Sequence, residues 1–132
     1  ETARVLREGW FHSGDAATVD DEGYLYIQDR YTDMIISGGE NVYPAEVESA
    51  LLELDGIVEA AVVAVPDETW GEVGMGVLVA QGEPPPSEQE VLDQLRTRLA
   101  GFKVPKTLRF VDELPKTATG KIRKNVLRGE NP

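Results

Sequence analysis

DRYTDMIISGGENVYPAEVE, Asp29 to Glu48, changes character three times in twenty residues. It begins as a charged turn, Asp29-Arg30-Tyr31-Thr32-Asp33, and continues as a short apolar strand, Met34-Ile35-Ile36. It breaks at Gly38-Gly39 and enters a helix at Pro44. A glycine pair lets the backbone take positive φ and lets a ligand approach the main chain closely. On its own such a pair is more often just a turn.

Downstream, Pro44 suits the first helical position, and Glu46 and Glu48 fall where negative charge favours a helix start. Val47, Leu51 and Leu54 recur at helical spacing and Gly56 supplies a stop, which predicts a helix over 44–54. Val58 to Val65 reads as a buried strand, and Gly76 to Ala80 as a second one after the Asp67–Gly71 loop. Gly71, Gly74 and Gly76 mimic a nucleotide fingerprint, but no helix follows them, so they read as loop and strand geometry. Ser87 with Glu90 forms a capping-box pattern. It opens a helix with Val91, Leu92, Leu95 and Leu99 on one face and Gly101 at its end. Leu108–Val111 is a short strand, Pro115–Gly120 a small-residue loop, and Ile122–Leu127 a final basic helix.

Upstream, Gly9–Asp15 reads as a loop carrying Trp10 and Phe11. Ala17–Val19 and Tyr24–Ile27 flank Asp20-Asp21-Glu22-Gly23, a turn sequence, and predict a β-hairpin. An isolated hairpin is marginal in water, so this piece needs a partner. The expected fold class is α+β: a small three-stranded sheet from the strands after residue 57, packed with helices, with Met34–Ile36 standing apart.

The chain has 132 residues, enough for one compact core plus a short extra segment. No apolar run approaches the roughly 18 residues of a membrane span, and ETARVLREGW lacks the apolar core of a secretory signal. There is no cysteine and a single histidine, His12, which excludes disulfides, cysteine nucleophiles and multi-histidine metal sites; no metal-ligating set is expected. Residues 1–102 hold 5 Lys+Arg against 21 Asp+Glu, whereas residues 103–132 hold 8 against 3. The acidic bulk argues against a general nucleic-acid binder. The basic tail is either a local phosphate contact or an ordinary solvated tail.

Three short stretches carry candidate chemistry. Asp15, after Ser13-Gly14, is placed to accept hydrogen bonds from paired sugar hydroxyls, or simply caps a turn. Arg30 offers a planar fork of donors for ribose or phosphate oxygens, or forms a surface ion pair with Asp29 or Asp33. Lys121 follows Thr117-Ala118-Thr119-Gly120 in a loop without bulky apolar residues. It is either a point charge for developing anionic charge or one more lysine in a basic tail. The stretch lacks the phosphate-loop pattern.

GWFHSGD, DRYTDMIISGGENVYPAEVE and PKTATGKIRK together resemble the last three motif blocks of the acyl-CoA synthetases, within the adenylate-forming (AMP-binding) enzymes. The resemblance covers essentially the whole chain and favours CoA ligases, of the fatty-acyl type by wording, over the adenylation domains of peptide synthetases. It implies a stub of a larger N-terminal AMP-binding domain over 1–29, a hinge over 30–33, and a mobile lid over 34–132. It implies that Asp15 and Arg30 bind ATP or AMP through the ribose, and that Lys121 is the catalytic lysine of acyl-adenylate formation. Gly38 and Gly39 match the loop beside the CoA pantetheine channel. Trp70, Phe102 and Lys106 resemble CoA-nucleotide positions, with ordinary packing as the other reading for both aromatics. The hinge residue is Thr32, where relatives usually carry Asp or Lys.

The implied reaction joins a carboxylic acid, ATP and CoA into acyl-CoA, AMP and pyrophosphate. Mg2+ would accompany the ATP, held mainly by the N-terminal domain, which is the expected partner. A fatty acid is the expected substrate, with aryl acids next, and the piece alone is expected to be inactive. No nucleic acid or transmembrane segment is expected; the setting is cytoplasmic, with peripheral membrane association open for the full-length enzyme. Two other readings stand beside this one: an acyl-AMP ligase that passes its acyl group to a carrier protein, and a non-catalytic nucleotide- or partner-binding module.

Overall fold

The computed structural model describes residues 2–129. Glu1, expected in the stub, and residues 130–132, expected in the lid, lie outside the described residues.

The first part of the chain is built from small local units. Thr2–Val5 is a single helical turn, α1. Leu6–Arg7 (β1) pairs antiparallel with Trp10–Phe11 (β2), where a loop was expected. Glu8 and Gly9 join them at φ of 51° and 84°, the double positive φ that a two-residue hairpin turn requires. Asp15–Val19 (β3) and Leu25–Arg30 (β4) form the predicted hairpin, with a bulge between Ala16 and Ala17. Its turn is closed by Asp20, whose carboxylate accepts the Glu22 and Tyr24 amides and the Tyr26 hydroxyl, each at 2.9 Å.

The second part is one sheet covered on both faces. Its strands are Ile35–Ser37 (β5), Glu40–Val42 (β6), Ile57–Asp67 (β7), Gly71–Ala80 (β8) and Thr107–Phe110 (β9). β7 and β8 form a long antiparallel hairpin, from Ile57↔Ala80 to Asp67↔Gly71. β9 runs parallel to β8 on its other side, from Met75↔Thr107 to Leu78↔Phe110. The three strands after residue 57 thus share a sheet, as expected, in a mixed α+β fold. The β5 strand does not stand apart: it joins β8 through Ser37↔Gly71 and brings β6 with it, making five strands. Burial explains this, because Ile35 is fully buried and Ser37 nearly so, and three residues can reach that state only by docking on the body. β8 also starts earlier than predicted. It takes in Gly74 as well as Gly76, and at Gly76 a side chain does not fit: a Cβ there would sit 2.6 Å from Leu108 Cδ2.

Alternation along the strands sorts the side chains into two cores. Ala60, Val62, Leu78 and Leu108 face a first core with Val47 and Leu51 of helix Pro44–Leu52 (α2) and Val91 and Leu95 of helix Glu88–Arg96 (α3). Ala61, Val63 and Val77 face a second core closed by Leu114, Ile122 and Leu127. Ser87 and Glu90 make the expected reciprocal capping box on α3. The last helix, Lys124–Leu127 (α4), begins two residues later than predicted. Ile122 is instead paired with Lys116 in an isolated antiparallel bridge. Among the described residues no helix is long and apolar enough to cross a membrane.

Candidate functional site

Three separate places carry the candidate residues. The first is a cleft of about 480 Å3 lined by Gly38, Trp70, Val73, Arg96, Phe102 and Lys106, among others. Asp67 organises it. One carboxylate oxygen accepts the Thr69 and Trp70 amides at 2.9 Å, and the other accepts Lys106 Nζ at 2.5 Å. The Lys106 hydrogen bond, followed by the Trp70 amide, holds the Asp67 carboxyl below its ordinary value. One acid therefore fixes both the aromatic loop and the cation beside it.

The glycine loop is built against the same aromatic. Gly38 donates its N–H to the Trp70 carbonyl at 2.9 Å. At φ +58°, a Cβ on Gly38 would lie 2.7 Å from Trp70 Cε3. Gly39 makes the outer corner of the turn at φ +85°, with open space around it. Trp70 and Phe102 remain 56% and 44% exposed, so each ring presents part of its surface to the cleft. Lys103 sits 5.8 Å above the Phe102 ring and pairs with Glu46 at 2.9 Å. Two accessible rings with cations at the rim can stack a planar heterocycle and hold an anion. Asp67 and Arg96 escaped the sequence reading. Asp67 had a usable cue, an Asp two and three residues before amides in a turn; Arg96, on the last turn of α3, had none.

The second place is the β3–β4 hairpin. Asp15 and Arg30 are opposite one another in register, with Arg30 Nε 3.3 Å from Asp15 Oδ1. Arg30 pairs with neither Asp29 nor Asp33. Asp29 accepts the Arg30 backbone N–H at 2.7 Å and the Ala45 N–H at 2.8 Å. Asp33 pairs with Arg128 at 2.7 Å. The Asp15–Arg30 pair lies on the surface, where both groups stay accessible.

The third place is Lys121. Its backbone is pinned: Thr117 N–H donates to the Lys121 carbonyl at 2.8 Å, and Lys121 N–H to Thr117 Oγ1 at 3.2 Å. Gly120 takes φ +88° to close the turn. The loop is thus a closed hairpin tip rather than a slack segment, and the exposed part is the lysine side chain. The basic tail is not simply solvated either. Lys103, Lys106, Lys116, Lys124 and Arg128 pair with Glu46, Asp67, Glu59, Glu48 and Asp33. Among the described residues Lys121 has no such partner. Thr32 lies in a shallow groove with Met34, Glu72 and Arg128.

No group of three or more His, Asp or Glu side chains able to hold a metal ion occurs among the described residues. The described residues do not form a Mg2+ site.

A sequence model of the AMP-binding enzyme C-terminal domain matches residues 46–121. The chain belongs to that family. Relatives of this AMP-binding C-terminal domain match nearly all of it. A feruloyl-CoA synthase from Amycolatopsis is 57% identical over 127 residues, 96% of this chain and 26% of the relative. The long-chain-fatty-acid–CoA ligase FadD13 of Mycobacterium tuberculosis is 52% identical over 128 residues, 96% of this chain and 25% of the relative. The chain therefore spans about a quarter of the curated relatives it matches. Among solved structures, ATP-bound MatB from Rhodopseudomonas palustris superposes with a TM-score of 0.87 at 41% identity, over 97% of this chain and 26% of that one. Apo MatB, over the same shares, gives 0.76 at 42% identity.

Proposed function

We propose that this AMP-binding C-terminal domain is the mobile lid of an ATP-dependent acid–CoA ligase, which makes acyl-CoA, AMP and pyrophosphate through an acyl-adenylate. The observation that carries the reading is the division of the candidate residues between two faces of one sheet. The Gly38–Trp70 cleft is built on β5, β6 and Val104, which belong to the first core. The Lys121 hairpin is anchored on the second, through Ile122 and Leu127. A rigid body with two such faces serves two half-reactions by rotation about Thr32.

In the first half-reaction a carboxylate attacks the α-phosphate, and negative charge gathers on the reacting oxygens. Lys121, without an ion-pair partner among the described residues and held on a closed hairpin tip, brings a preorganised cation to that charge when the lid docks. Asp15 and Arg30 hold the ribose hydroxyls. In the second, the Gly38–Gly39 turn flanks the pantetheine arm. Trp70 and Phe102 take the CoA base, and Lys106 takes its phosphates. Mg2+ bound to the ATP is assigned to the larger N-terminal domain, the lid's partner. The setting we propose is cytoplasmic, and the use of ATP and CoA fits it.

A fatty acid is the substrate class we propose, in line with FadD13. The comparably similar feruloyl-CoA synthase makes an aryl acid the second reading. Transfer to a carrier protein is less well supported, because a carrier would leave the aromatic and cationic cleft without a ligand.

The test is Lys121→Ala in the full-length enzyme, with the two steps assayed apart. Pyrophosphate release is expected to fall by about 10²–10³, while thioester formation from supplied acyl-adenylate persists. Equal loss in both steps, or none in either, sinks the assignment. The 132-residue chain by itself is expected to form no acyl-CoA.

A further inference from the structure

We propose that Asp29 is a latch across the pivot: its carboxylate caps α2 in the present lid orientation and must let go when the lid turns. The inference rests on the reading of Thr32 as the pivot. Residues up to Asp29 then belong to one side and α2 to the other.

Helix α2 opens without a cap of its own. Its N-cap residue is Tyr43, whose side chain makes no capping hydrogen bond, and Pro44 follows it. The first amides of a helix lack intrahelical partners. The Ala45 amide finds one sixteen residues back in the chain, at Asp29 Oδ2, 2.8 Å away. The other oxygen of Asp29 accepts the Arg30 amide at 2.7 Å, which fixes the side chain's direction. Asp29 is half-buried at this contact. A carboxylate at a helix start also gains from the helix dipole, so the bond favours one placement of α2 relative to β4 over others.

The other links near Thr32 have a different character. The Asp33 and Met34 amides both donate to the Arg30 carbonyl, at 3.1 and 3.2 Å, a local turn that travels with the backbone. The Asp33–Arg128 ion pair, 2.7 Å, lies wholly on the lid side. Asp29–Ala45 is the side-chain hydrogen bond that joins β4 to α2, so rotation at Thr32 moves its two ends apart. On the two-orientation reading above, with the present orientation taken as the adenylate-forming one, Asp29 is a positioning residue that acts through lid placement rather than by touching substrate.

The experiment places spin labels on cysteines introduced at Glu22, in the hairpin turn, and Asp55, beyond α2, in this cysteine-free chain. Distance distributions are then compared for the parent, Asp29→Ala and Asp29→Asn. The parent is expected to show one dominant distance. Asp29→Ala is expected to broaden it or add a second population of at least about a fifth of the molecules. Asp29→Asn keeps one acceptor oxygen but sets its NH2 against the second N–H, so its distribution is expected to lie between those of the parent and Asp29→Ala. Asp29→Glu displaces the oxygens by one methylene and substitutes for the alanine variant if that one does not fold. An unchanged distribution in Asp29→Ala or Asp29→Glu overturns the latch. In the full-length enzyme Asp29→Ala is expected to slow pyrophosphate release at least about fivefold more than thioester formation. If the distances respond but the two steps slow equally, the latch stands and the assignment of the two steps to two lid orientations fails.

Discussion

Trp70 occupies the space that a side chain on Gly38 would need, with Cε3 2.7 Å from the position of a Cβ there. The same pair is joined by the Gly38 N–H to Trp70 C=O hydrogen bond of 2.9 Å. Glycine at 38 is therefore required by contact as well as by its φ of +58°. Gly38→Ala is expected to cost about 1–3 kcal/mol, from the left-handed backbone and the displaced ring together. Urea unfolding measures it. In a Trp70→Ala background the steric part disappears, so the cost of Gly38→Ala falls to about 1–2 kcal/mol. The same cost in both backgrounds would mean that the ring moves aside freely and does not define the loop.

Asp67 links that aromatic to Lys106, and its lowered pKa makes the link sensitive to acid. The folded value lies below 3.8, held down by Lys106 and the Trp70 amide. A carboxyl depressed on folding stabilises the fold above its unfolded pKa, and that contribution is lost as pH falls through the folded value. Asp67→Asn is therefore expected to lower the urea midpoint at pH 6–7 and to make little difference well below pH 3.8. Asp20 and Glu90 are also depressed, by the Tyr24 amide and by the Ser87 amide respectively, so acid destabilisation persists in the variant with a shallower slope. Parallel pH profiles for the two proteins would show that the Asp67–Lys106 link contributes nothing.

How much of this was legible depends on whether the cause was local. The Ser87–Glu90 box, Pro44 at the start of α2 and the Val47–Leu51 stripe are local, and each predicted element is present. The contacts that set the site are not. Asp29 caps α2 from another strand, β5 docks through a single pairing with Gly71, and the tail cations meet acids tens of residues away. The charge asymmetry between the acidic bulk and the basic tail was visible in the sequence. Its meaning, a tail tied down by ion pairs that, among the described residues, do not include Lys121, appears only when the partners are in place. The early start of β8 was hidden for a related reason: residues 71–75 read as loop locally, and the close approach of Leu108 to Gly76, the first residue of the predicted strand, comes from a distant part of the chain.

Gly76 gives the sharpest test of that packing. A methyl there would meet Leu108 Cδ2 at 2.6 Å, and Leu108 is buried in the first core. Overpacking of this kind typically costs about 1–3 kcal/mol. Gly76→Ala is expected in that range by denaturant unfolding, with Leu108→Val in the same chain recovering a large part. If the double variant is as unstable as the two separate costs added, then β8 and β9 tolerate the methyl by another route and close approach is not why the glycine is there.

The last prediction concerns what holds the Lys121 hairpin to the body. Lys124 Nζ is 2.7 Å from Glu48 Oε1, and the two side chains are only 17% and 20% exposed. The same oxygen accepts the Val62 amide of β7 at 2.9 Å, so one carboxylate joins α2, the sheet and α4. A half-buried pair with a second hydrogen bond is screened less by salt than a surface pair. It is expected to show a coupling of about 1–2 kcal/mol in a double-mutant cycle of Glu48→Gln and Lys124→Met. That coupling should survive ~0.5 M salt, whereas the exposed Asp93–Arg96 pair on α3 should give no more than a few tenths of a kcal/mol and lose it. Glu48→Gln alone should be the milder single change, because its amide oxygen still serves Val62. Coupling near zero would mean that the hydrophobic anchors Ile122 and Leu127 hold the hairpin unaided. Substantial coupling would make Glu48, within the PAEVE run, part of what sets the position of Lys121.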